Sequence, residues 1–116
     1  KRRAFEDCTL PFEDWRHSMH VRVALNMLQT FGSTEGGERF IKGLARYNEA
    51  ARAELRRNKK LKVSAASDHA TITFFWLNCI RDRMRPGDSF DTMIERHPEL
   101  ASFSYIFEFY SPEDLY

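Results

Sequence analysis

The chain has 116 residues, a formal net charge of +1 and a mean hydropathy of −0.57, with 42% hydrophobic, 14% aromatic and 30% charged residues. That length suits a single domain, residues 1–116, able to bury one core without staples, and the apolar share excludes a disordered chain. No apolar run approaches the roughly 18–20 residues of a spanning helix, so no membrane partner is expected.

The N-terminal "KRRAFEDCTLPF" has no apolar h-region, so it does not read as a signal peptide, and the missing initial Met suggests a trimmed start. Cys8 and Cys79 are too far apart for a CxxC pair, which argues against a disulfide framework or zinc finger and makes a reducing, cytoplasmic compartment the default.

Four helical segments follow. The first is predicted from about Pro11 to Thr30, with Pro11 at the first position and Glu13 and Asp14 in the first turn. His17, His20, Val21, Ala24, Met27, Leu28 and Phe31 recur at steps of three and four, and Gly32 serves as the C-terminal cap. The second starts at Ser33 or Thr34, where Gly36-Gly37 weakens the first turn by about 1 kcal/mol per glycine. Phe40, Leu44, Tyr47, Ala51 and Leu55 form its apolar stripe, opposite Arg39, Lys42, Arg46, Arg52 and Arg56; "RRNKKLK" ends it as a frayed, solvated loop.

The third is predicted from near "SAASDHATIT", capped by Ser67 or Asp68, with Ile72, Phe75, Trp76, Cys79, Ile80 and Met84 inward. "TITFFW" is also rich in strand formers, but the helical period persists to Met84, and Pro86-Gly87 stops it. The fourth is short, "DSFDTMIERH", capped by Asp88 or Ser89, with Phe90, Met93 and Ile94 inward and Pro98 breaking it. The aromatic tail "ELASFSYIFEFYSPEDLY" reads as irregular chain wrapping a groove, since so many rings avoid water. Without a strand-turn-strand signal, the predicted class is all-α: a small helical bundle of three long helices, a short fourth and the tail.

The chemistry-bearing feature is "HSMH". Histidines at i and i+3 share a helix face about 5–6 Å apart, and two imidazoles so placed can converge on a metal at about 2.0–2.1 Å per nitrogen. His69, on the predicted inward face of the third helix, is the candidate third ligand, and His97 reads as an exposed turn residue. Tyr47, Asp68, Thr71 and Thr73 are candidate surrounding groups. Imidazole suits Zn, Ni or Fe alike. The competing reading makes these histidines core residues whose N–H groups are satisfied by carbonyls or hydroxyls. A di-iron carboxylate site lacks its Glu-x-x-His pairs, a serine hydrolase its GxSxG elbow, and a phosphate loop its Gly-Lys-Ser/Thr. A general-base histidine without metal stays open.

Residues 39 to 62 carry nine Lys or Arg against Glu49 and Glu54, whereas residues 88 to 116 carry seven acids against Arg96. The basic helix could track phosphates, yet no helix-turn-helix or RNP spacing accompanies it and no aromatics interleave, so nucleic acid ranks third as a partner. A small-molecule ligand ranks first. A binding or homo-oligomerising module, with structural histidines and a docking tail, ranks second.

In order along the chain, "WRHSMHVRVALNML", "LARYNEAA", "DHATITFFWL" and "FYSPEDL" form a pattern W-x-H-x-x-H, Y-N, H-x-T-x-T, Y-S-P-x-x-L. This pattern resembles a group of small, uncharacterised helical bacterial proteins with no established activity. The resemblance implies that His17, His20, His69, Thr71 and Thr73 belong to a shared motif. In that group an acid often follows the third histidine; Ala70 stands there in this chain, so a carboxylate at that place is no required ligand or base. The group's pattern also implies chain beyond "SPEDLY".

Overall fold

The chain opens on a short helix, α1 (Arg2–Glu6), which ends in a turn with Cys8 at φ 60°. The computed structural model describes residues 2–58 and 70–115, excluding the side chain of Leu115. After α1 come a 3₁₀ turn at Phe12–Asp14, α2 (His17–Phe31), α3 (Ser33–Arg57), α4 (Ala70–Arg83) and α5 (Phe90–Arg96). Two 3₁₀ segments, Pro98–Ala101 and Phe103–Glu108, lead to α6 (Pro112–Leu115). No strand occurs among the described residues, so the all-α expectation holds. The expected count of three long helices and one short is too low, because short helical pieces also form at both ends.

The predicted first helix is really two elements. Pro11 starts only a 3₁₀ turn; Arg16 is extended (φ −121°, ψ 173°), and α2 begins at His17. The break lets Trp15 turn back into the core, where it is 7% exposed. Gly32, at φ 92°, ends α2 and lets α3 start at once, so α2 and α3 form an antiparallel hairpin. Phe40, Leu44, Tyr47 and Ala51 are buried as expected, but Leu55 is 41% exposed: α3 outruns its neighbours there.

"TITFFW" is helical, with Ile72, Trp76, Leu77, Cys79 and Ile80 buried in α4. The predicted caps Ser67 and Asp68 lie outside the described residues, as do Lys59, Lys60 and Lys62 of the predicted loop. Gly87, at φ 81°, turns the chain after α4, and α5 starts with a capping box between Ser89 and Thr92. Arg96 clamps this turn: its guanidinium donates to Asp88 at 2.6 and 2.7 Å and to the Arg83 carbonyl at 3.1 Å.

Phe5 was not legible as a core residue, yet it is fully buried. It stacks on Trp15, Phe40 and Tyr47 at centroid distances of 5.0, 5.5 and 5.6 Å. The Tyr47 hydroxyl donates to the Leu10 carbonyl at 2.7 Å, tying this N-terminal layer to α3. Tyr47→Phe leaves the rings packed but strips that buried bond. It is expected to cost about 1–2 kcal/mol in urea denaturation; an unchanged midpoint would mean the hydroxyl is not holding the segment.

The tail only partly obeys its aromatic content. Leu100 and Ile106 are fully buried, but Phe107, Phe109 and Tyr110 are 38%, 58% and 37% exposed. In a 3₁₀ segment residues three apart share a face, so few of its side chains can point to the bundle at once.

Candidate functional site

Because the helix breaks at Arg16, His17 and His20 stand in the first turn of α2 and not in its middle. His17 is half-buried between Trp76 of α4 (centroids 4.3 Å apart) and Phe103 of the tail (5.8 Å). Its Nε2 lies 2.9 Å from the Leu100 carbonyl. A carbonyl can only accept, so Nε2 carries the proton and, in the neutral ring, the free lone pair sits on Nδ1. Burial lowers the His17 pKa, and the bond to Leu100 opposes that shift.

His20 packs edge-on against Phe40 at 4.9 Å and tilted against Trp15 at 5.7 Å. Its Nδ1 is shut off from solvent and has no partner among the described residues. Burial, reinforced by the neighbouring His17, lowers its pKa to about 3. Both rings are therefore neutral near pH 7, the state in which imidazole accepts a hydrogen bond or ligates a metal.

Two further polar groups share this interior. Asn48 on α3 is fully buried, and neither its amide nitrogen nor its oxygen is hydrogen-bonded among the described residues. Trp76, 1% exposed, has an indole N–H in the same condition. Buried groups of this kind are nearly always satisfied in native proteins, by protein, water or ligand. Trp15 meets Tyr47, the neighbour of Asn48, at 5.0 Å, while His17, two residues after Trp15, meets Trp76. Asn48 lies three helical turns beyond Gly37, the α3 residue beside Arg81 of α4, and so shares its helix face.

The remaining candidates divide. Tyr47 points its hydroxyl to the Leu10 and Pro11 carbonyls, at 2.7 and 3.2 Å, and so is already committed to backbone. Thr73 is buried on α4, whereas Thr71 lines a surface cleft. Asp68 and His69 lie outside the described residues, so the proposed third ligand is not placed. No group of three His, Cys, Asp or Glu able to hold a metal occurs among the described residues. His97 caps the C-terminus of α5, half-buried and 3.5 Å from Glu99.

Asn48 was missed as a site residue because an asparagine beside a tyrosine on a helix reads as solvated. The position of Asn48 next to Tyr47, a residue of the apolar stripe, was the signal that could have singled it out. On the basic face of α3, Arg39 pairs with Glu35, Arg52 and Arg56 with Glu49, and Arg57 with Glu54. These pairs return much of its charge to the helix itself, as on a solvated surface. Cys79 is buried with its thiol pKa raised by that burial, and thus poorly suited as a nucleophile. No helix among the described residues is long and apolar enough to cross a membrane. Compared with protein-family models, curated proteins and solved structures, the chain matches none.

Proposed function

We propose that this protein binds a small polar ligand in its interior, at a site built by His17, His20, Asn48 and Trp76 and completed by His69. The observation that carries this reading is a group of buried polar atoms that lack hydrogen-bond partners among the described residues: His20 Nδ1, both amide atoms of Asn48 and Trp76 Nε1. Together they offer donors and acceptors within an apolar wall, the composition of a small-ligand site. A divalent metal, Zn, Ni or Fe, is the second reading. It is favoured by His17, whose Nε2–H is held by a backbone carbonyl while Nδ1 keeps the lone pair, as metal-bound histidines commonly are. If such an ion acts on substrate, it would activate a bound water or substrate oxygen.

Native mass spectrometry and elemental analysis of untagged protein separate these. Released small molecule supports the first reading, and stoichiometric metal the second. Neither species, with no melting shift on adding Zn, Ni or Fe, sinks both.

Asn48→Leu gives an independent check. Replacing an unsatisfied buried amide by an apolar group of similar size removes a desolvation penalty of about 1–3 kcal/mol. Ligand-free protein is expected to be stabilised by about that amount in urea, while losing whatever co-purifies with the wild type. A destabilised variant would mean the amide is already satisfied.

A further inference from the structure

The tail and α4 enclose a second feature, separate from the interior histidines. A cleft of about 530 Å³ opens between α4 and the last 3₁₀ segment, lined by Phe75, Tyr105, Phe109 and Tyr110 with Asp82 in the same wall. Phe75 lies 5.4 Å from Phe109 and 6.2 Å from Tyr110, the latter at 89°; Tyr105 meets Phe109 at 5.2 Å and 77°. Rings standing at such steep angles present faces from several sides; Phe109 is mostly in solvent and Tyr110 about a third so.

Charge selects the occupant. Ring faces carry partial negative charge and attract cations, most strongly bulky, weakly hydrated ammonium groups. Arg83 also lines the cleft, but its guanidinium is bound to Glu99 at 3.0 Å and to the Cys79 carbonyl at 3.2 Å, so its charge is compensated. The Asp82 carboxylate has no ion-pair partner among the described residues and leaves the cleft with net negative character. An apolar peptide would gain nothing from that carboxylate, and an anion would be repelled by it.

We propose that this cleft binds a small quaternary ammonium compound, its charged head against Phe75, Phe109 and Tyr110 and balanced by Asp82. The test is isothermal titration calorimetry of the full chain with choline and with its neutral isostere 3,3-dimethylbutan-1-ol. Choline is expected to bind saturably, one per chain, at least about tenfold tighter than the isostere. Phe109→Ala removes an exposed ring and is expected to weaken choline about threefold or more. Asp82→Asn keeps the shape and is expected to weaken choline severalfold while leaving the isostere unchanged. No binding at about 10 mM choline, or equal binding of choline and isostere, would overturn the proposal. So would light scattering that shows a wild-type dimer converted to monomer by Phe109→Ala, since the cleft would then be closed by a second copy.

Discussion

Gly36→Ala is expected to destabilise the protein by about 3 kcal/mol, although the same change in an isolated helix would be favourable by up to about 1 kcal/mol. The cause lies in the hairpin. A methyl group at Gly36 would stand 2.8 Å from the Leu28 Cα and against the Met27 carbonyl, both backbone atoms of α2. Neither can move unless the two helices part, and their contact buries Val21, Ala24, Leu28, Phe40 and Leu44. Gly37 is the control. A methyl there meets only the guanidinium end of Arg81, which can swing away at the loss of its bonds to the Ser33 carbonyl, 2.8 and 3.1 Å long. Lost bonds and gained helix propensity then nearly cancel, so Gly37→Ala is expected to stay within about 1 kcal/mol of wild type. Urea denaturation followed by circular dichroism measures both. Equal effects at the two positions would show that the helices do not approach so closely at Gly36.

Acidification from pH 7.5 to pH 5 is expected to cost the ligand-free protein about 2 kcal/mol through His20 alone. The sign follows from its pKa, 6.5 when unfolded and about 3 when folded. Between those values the unfolded chain takes up a proton that the folded chain refuses. Stability therefore falls as pH drops below about 6.5, by about 1.4 kcal/mol per unit, and the loss is complete only below the folded value. His17, shifted the same way, adds to the slope. Asp88 enters later: Arg96 holds its carboxyl well below the usual carboxylate range, so its contribution is present above about pH 4 and lost beneath. The interval from pH 6.5 to 5 thus isolates the histidines. His20→Leu, similar in bulk, is expected to flatten the wild-type slope there by more than half. An unaltered slope would mean that His20 is not the buried base inferred from its surroundings.

The helical class, the three long helices and most of their inward residues were legible because each is a local property. Phe40, Leu44, Tyr47 and Ala51 recur with the helical period, Gly32 permits a positive φ at a helix end, and Pro86-Gly87 cannot continue one. The site was legible only in outline. His17 and His20 do share one helix turn, but the bond that sets the His17 tautomer comes from Leu100, 83 residues away, and no periodicity reports it. Nor did any local signal show that Arg16 would break the first helix, that Phe5 would fill the core, or that the tail would leave Phe109 in water. Which segments coil and which faces are apolar follows from local sequence, because propensity and pattern act within a few turns. Which buried polar atoms lack partners among the described residues, and where a glycine is indispensable, depends on the packed fold, because partners and close approaches come from distant parts of the chain.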